Sequence, residues 1–284
     1  MRNATPRGLA RTLVVVLALA TGLAALEAQT RRPRKPASSP SSAQPARKPL
    51  PLPARTDTKV PFRAGERLTY DISWSGHLTA GEATMVVKER RASFGSMAYY
   101  IVAEGRPVGL LARLHSLYYK ADTLLDCYAL LPQRGSIYSQ EGARHRLRIT
   151  RFDHLGHRAE YEVQTTTNVK SVVAIPRHTQ DALSAVYALR SVPLAPQSRL
   201  TMPVCDGGTT YRVTFGIGTA EPVTTPAGTV TALRVTPTVL DEQGHPVGGR
   251  MTVWISADER RIPIKLRVDV AIGSLDLVLR QVVS

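Results

Sequence analysis

Thr179-Gln180-Asp181-Ala182-Leu183-Ser184-Ala185-Val186-Tyr187-Ala188-Leu189-Arg190 is the one convincing helix in a chain otherwise written as strands. Thr179 suits the N-cap, where a side-chain oxygen accepts from a free backbone N–H, and Asp181 lies where the helix dipole favours negative charge. Arg190 supplies the matching sign in the last turn. Pro193 disfavours helical geometry at Val192, so the pattern predicts a helix over 179–190. Between its ends the segment is apolar almost all round, with Leu183, Val186 and Tyr187 on one side and Ala182, Ala185 and Leu189 on another. A helix without a polar face is a buried helix. The strands before and after it must cover it.

Those strands are legible by alternation. In Glu66–Trp74, Leu68, Tyr70, Ile72 and Trp74 share one face, with Arg67, Thr69, Asp71 and Ser73 on the other. Ile264, Leu266, Val268 and Val270 alternate in the same way against Lys265, Arg267 and Asp269. Sheets with one packed and one wet face are antiparallel. About a dozen such segments run from residue 62 to the end, with no internal repeat and no interior linker. The expected fold is therefore mainly β, a single domain over 60–284 of about a dozen antiparallel strands curved around one buried helix.

The N-terminal part is different. Arg2, Arg7 and Arg11 precede an apolar run over Leu13–Leu26, and Ala28 offers a small residue for cleavage. This is the pattern of a secretory signal peptide over 1–28, and the run is short for a membrane span. Leu26, three residues before the break, is large for that position, so an uncleaved anchor is the alternative. Residues 29–59 are rich in Pro, Ser, Ala and Arg, lack aromatics and read as a disordered basic linker. Residues 1–59 hold 11 Lys/Arg against two acids, which is +9 of the net +15. The remainder is mildly basic, which argues against nucleic acid and leaves the linker to attract an anionic envelope surface. The expected location is the periplasm. Cys127 and Cys205 are compatible there with a disulfide or with two buried thiols.

Candidate chemistry is sparse. Ser184 lies within the apolar helix without a nucleophile elbow, and a serine so placed bonds back to its own helix. His154-x-x-His157 falls in a turn with no third ligand at a recognisable spacing. No catalytic residue, metal site or cofactor is expected. Arg144, Arg146 and Arg148 share a strand face and suit an anionic polymer. Against that, Leu147, Ile149, Tyr161 and Val163 all carry odd numbers. Pairing apolar with apolar requires an even sum, such as Leu147 opposite Tyr161. That register sets Arg148 opposite Glu160 and Arg146 opposite Glu162, so ion pairs account for the ladder.

Several segments together resemble the domain-of-unknown-function family 3108 of exported bacterial proteins. They are Phe62-Arg63-Ala64-Gly65-Glu66-Arg67-Leu68-Thr69-Tyr70, Ala80-Gly81-Glu82-Ala83, Asp181-Ala182-Leu183-Ser184 with Tyr187 and Arg190, Trp254 to Pro263, and Ile272-Gly273-Ser274. The resemblance implies a periplasmic, mainly β protein and brings no catalytic residues. Asp181, Arg190, Trp254, Asp258 and Arg261 read as its structural signatures: two charges on a buried helix, which need partners, and a hairpin bend between Ile255 and Ile262. A 12-residue helix covers only about 18 Å, whereas a dozen strands spaced about 4.8 Å apart form a much wider sheet. An apolar groove beside Leu183, Val186 and Tyr187, with Tyr70 and Trp74 on its sheet side, is the expected ligand site. The expected function is non-enzymatic binding of a lipid or other amphipathic envelope component. A structural or assembly factor without a small ligand, with its protein partner unspecified, and an envelope polymer hydrolase are the alternatives.

Overall fold

The computed structural model describes residues 55–284 apart from 77, 110, 111, 113–115, 271 and 272. The leader and the linker as far as residue 54 lie outside the described residues, as does Ile272 of the last family segment.

The alternating segments become fourteen strands: β1 (Arg67–Trp74), β2 (Leu78–Ser93), β3 (Ser96–Pro107), β4 (Leu117–Asp126), β5 (Pro132–Glu141), β6 (Arg144–Asp153), β7 (Arg158–Gln164), β8 (Asn168–Ala174), β9 (Arg199–Asp206), β10 (Thr209–Thr225), β11 (Gly228–Leu240), β12 (Arg250–Ser256), β13 (Pro263–Val270) and β14 (Gly273–Val283). They form one antiparallel sheet, in which consecutive strands pair and β14 returns to β1. The order is β8-β7-β6-β5-β4-β3-β2-β1-β14-β13-β12-β11-β10-β9. Pairing of β8 with β9 would close this meander into a barrel. Instead the helix α1 (Ala182–Ser191) connects those two edges. Bulges at Thr69/Tyr70, Ile72/Ser73, Val87/Glu89 and Ile217/Ala220 bend the long strands, so the sheet curls around the helix.

The helix is apolar all round because different parts of the sheet take different faces. Leu183 and Tyr187 pack with Phe62, Val87, Tyr99, Ile101 and Leu125. Ala185 and Leu189 pack with Val204, Val213, Phe215, Ile217 and Val235. A third cluster, centred on Leu68, Ile72, Ile264, Val268 and Leu275, joins β1, β13 and β14 without the helix.

The helix begins later than its sequence suggests. The Gln180 N–H donates to Pro203 O at 2.9 Å and the Cys205 N–H donates to Gln180 O at 2.8 Å. Gln180 is thus bound to β9 as a strand residue, and the turn cannot start before Asp181. Asp181, not Thr179, is the N-cap: its carboxylate accepts the Ser184 N–H at 2.7 Å, and Ser184 Oγ accepts the Asp181 N–H at 2.8 Å. This reciprocal pair is a capping box in which serine fills the place usual for Glu or Gln. Thr179 instead donates to Pro176 O at 2.7 Å.

The β6–β7 hairpin also departs from its expected register. Leu147 lies opposite Gln164, Thr150 opposite Tyr161 and Arg151 opposite Glu160, which is an odd sum. The turn decides it. Asp153 pairs with Arg158, and its carboxylate accepts the Gly156 N–H at 2.7 Å, which closes a loop of fixed length. Leu147 and Ile149 therefore stand on the convex face, half-buried, while Tyr161 and Val163 face inward. The cross-strand ion pairs are Arg151 with Glu162, at 3.2 Å, and Arg158 with Asp153, at 3.0 Å. The ladder Arg144, Arg146 and Arg148 has no part in them.

Cys127 and Cys205 are both free and buried, in different clusters.

Candidate functional site

Between α1 and the concave sheet lies a cavity of about 590 Å³. Its ceiling is the remaining face of the helix, Ala182 and Val186 with the flanks of Leu183, Ala185 and Leu189. Its walls come from distant parts of the chain. Tyr70, Met85, Ala103, Tyr119 and Ile137 line one side; Val213, Phe215, Val239, Met251 and Leu277 line the other. Alternation puts these residues inward on their strands, and Glu104, Lys120, Asp206, Arg250 and Lys265 also border the space. The lining reaches the β11–β12 loop at Pro246–Gly249, which carries exposed residues. Cavities of 300–1,000 Å³ with apolar walls are the usual form of a small-molecule site.

Of the groove residues expected from sequence, Leu183, Val186 and Tyr70 line this cavity. Tyr187 does not: it is fully buried on the adjoining face of the helix, edge-on to Phe62 at 4.9 Å. Residues 183 and 187 share a helix face, whereas 182 and 186 share the next one. Trp74 also lies away from the cavity, over Gly273 at the β13–β14 turn, where an added Cβ would stand 3.0 Å from its ring. The cavity residues that sequence reading did not single out, such as Tyr119, Phe215 and Met251, are ordinary inward strand positions. Only the curl of the sheet brings them together.

One flank of the cavity is polar and largely buried. The Asp181 carboxylate accepts from Thr123 Oγ1 at 2.6 Å in addition to its capping bond. It rests on Gly135 of β5, where any Cβ would come within 3.1 Å of Asp181 Oδ2. Burial pushes the Asp181 carboxyl up to about 6, despite those donated hydrogen bonds. Asp206, at the end of β9, is likewise raised to about 6 by burial, with the Arg148 guanidinium opposing the shift and Asp181 adding to it. The Gly207–Gly208 turn next to it packs on Tyr161, and a Cβ at Gly208 would stand 2.9 Å from the ring. Arg148 Nε in the same seam is buried without a hydrogen-bond partner. This seam is where the two ends of the open sheet meet.

Of the other family-motif residues, Arg190 and Arg261 hold the end of the helix in place. Arg190 makes a two-pronged pair with Glu66, Nη1–Oε1 at 2.7 Å and Nη2–Oε2 at 2.9 Å, and its side chain is entirely buried. Arg261 Nη1 donates to Arg190 O at 3.1 Å and so satisfies a carbonyl of the last helical turn. Asp258 accepts from Ser256 Oγ at 2.6 Å and shapes the β12–β13 turn that presents Arg261. Trp254 donates its indole N–H to Glu221. Glu66 is the partner that sequence reading missed. The available signal was a carboxylate ahead of an alternating strand, inside the segment that shares a family resemblance with the helix.

One solved structure shares this architecture. A crystal structure of a β-barrel-like protein of the domain-of-unknown-function family 1849 from Brucella abortus superposes with a TM-score of 0.50 at 11% identity, covering 78% of this chain and 98% of that one. A protein with a YmcC-like fold from Bacteroides fragilis gives a TM-score of 0.32 at 13% identity, covering 81% of this chain and 100% of that one. At such identities the first likeness is one of fold. No curated protein matches the chain significantly. Among the described residues, no helix is long and apolar enough to cross a membrane. The family model described as "Protein of unknown function (DUF3108)" matches residues 69–280, from β1 through the helix to β14, and the chain belongs to that family.

Proposed function

We propose that this protein is a non-enzymatic binder of an amphipathic molecule of the bacterial cell envelope, taking its apolar portion into the cavity beneath α1. The observation that carries this reading is the 590 Å³ space whose ceiling is the Ala182–Val186 face of the helix. That face is apolar, yet among the described residues no side chain fills the space below it. A cavity of this size left empty forfeits the contacts its lining would otherwise make, and an apolar occupant restores them. Export follows from the leader pattern of residues 1–28, and an envelope lipid is the apolar occupant met in that compartment.

The test has two parts. Native mass spectrometry of protein recovered from an envelope fraction is expected to show bound lipid. The neutral dye 1-aminoanthracene is expected to brighten on binding the purified protein and to be displaced by a long-chain lipid. A lipid-free mass together with a dark dye would overturn the reading in favour of a purely structural role.

A further inference from the structure

The β6–β7 register has a chemical consequence. Tyr161 of β7 and Thr150 of β6 stand opposite each other on the concave face, and period-two alternation places Arg148, Arg146 and Arg144 on that face as well. Arg148 borders the buried seam with Asp206 and Tyr161. Arg146 lies opposite Ser139, and Ser139 lies opposite Tyr119, which lines the apolar cavity. The ladder thus climbs the inner wall of the β5–β7 flap, on the strand next to β5, whose Ile137 lines the cavity opposite Arg148. Arg144 stands at the sheet end that also carries the β9–β10 and β11–β12 connections. Arg144 and Arg146 are exposed, and none of the three arginines forms an ion pair among the described residues. The acids on this face are few: Glu141, opposite Arg144, accepts the Tyr119 hydroxyl at 2.8 Å, and Asp206, half-buried, lines the seam beside Arg148.

We infer that Arg144, Arg146 and Arg148 form the head-group subsite of the apolar cavity, so that the ligand is an anionic amphiphile with a carboxylate or phosphate head. The inference rests on the cavity reading above and narrows it to a ligand class. A guanidinium presents paired N–H donors that match carboxylate and phosphate oxygens, and a row of them at the side of an apolar chamber holds a charge in water while the chain is buried.

The test compares three ligands of equal chain length: palmitate, palmitoyl-lysophosphatidylglycerol and neutral monopalmitoylglycerol. Each displaces 1-aminoanthracene from the full chain and from the Arg144→Gln/Arg146→Gln double variant, whose substituted positions are exposed and leave the core untouched. The double variant is expected to bind the dye and monopalmitoylglycerol within twofold of the parent. It is expected to lose about tenfold or more in affinity for at least one anionic ligand, since hydrogen bonds to charged groups are individually strong. Added salt should narrow that difference. Loss for palmitate alone or for the lysophospholipid alone identifies the head as carboxylate or phosphate. Equal affinity of all three ligands for both proteins would overturn the head-group inference and leave the cavity reading standing. Failure of all three ligands and of the dye to bind the parent would overturn both.

Discussion

Arg190 and Glu66 are 124 positions apart, yet they meet as a two-pronged ion pair at 2.7 and 2.9 Å, with the arginine side chain wholly out of water. The pair fastens the last turn of α1 to the entrance of β1. Phe62 and Tyr187 lie against the guanidinium at 5.4 and 5.2 Å, which adds cation–π contact to the pair. Arg190→Ala or Glu66→Ala leaves one buried charge unpaired and is expected to lower stability by about 3–5 kcal/mol. Arg190→Met combined with Glu66→Leu should recover most of that loss. Urea melts of the two single variants and the double variant check this; a double variant no better than its parents would show that the pair is not an isolated unit.

Asp181 and Asp206 give the protein an unusual response to mild acid. Both carboxyls are raised by burial to about 6. An acid whose folded pKa exceeds its unfolded value binds a proton more tightly in the native state. Its contribution is therefore full below the unfolded pKa near 4 and is lost as pH rises through about 6, a change of about 3 kcal/mol for a two-unit shift. The surface acids that are lowered, such as Glu82 and Asp153, work the other way and below that window. Asp181→Asn keeps a good N-cap and cannot ionise. The stability difference between parent and variant is expected to change between pH 4 and 6, with the variant gaining relative to the parent as pH rises. A constant difference across that range would show that Asp181 titrates normally.

Gly135 is where the helix N-terminus touches the sheet. Because a Cβ there would come within 3.1 Å of Asp181 Oδ2 and 3.3 Å of its Cβ, Gly135→Val must push the N-cap away. A loss of about 1–3 kcal/mol is expected, as for other overpacked core positions. Thermal melting measures it, and Gly216→Val, at an ordinary strand backbone where the nearest atom to an added Cβ is Thr236 O at 3.6 Å, does not share the clash and serves for comparison.

Val186 faces the cavity from the middle of the helix. Val186→Trp is expected to fill the space, abolish dye and lipid binding and leave the melting temperature within a few degrees of the parent's. A variant that still binds the dye at parental affinity would place the apolar site elsewhere.

The β6–β7 register is open to direct chemical test. Leu147→Cys with Gln164→Cys places two thiols directly opposite each other, with the Cβ separation of about 4.5–5.5 Å that facing strand residues have. This pair should cross-link on mild oxidation, whereas Leu147→Cys with Tyr161→Cys, required by the even register, should not. The reverse outcome would set Glu160 and Glu162 opposite Arg148 and Arg146, pair the arginine ladder with acids and overturn the head-group inference.

Local pattern alone determined much of this protein. Period-two alternation marked the strands, as in Leu68, Tyr70 and Ile72, because a half-buried strand records its packed face directly in its own residues. The all-apolar segment around Leu183 and Tyr187 required a covered helix, since an unpartnered apolar surface has no other stable place. A buried Arg190 and Asp181 required partners for the same reason. What the sequence did not disclose depends on contacts between residues far apart in the chain. Glu66 and Thr123 became the partners only when the sheet curled. Gln180 was drawn into β9, which moved the helix start to Asp181 against the propensity of Thr179. The Asp153–Arg158 turn overrode apolar matching, and pairing with β5 set Arg148 opposite the inward Ile137. Whether the helix fully covered the sheet was beyond reach of local pattern altogether, because the space under Val186 is the difference between two large surfaces, and only their folded shapes decide its volume.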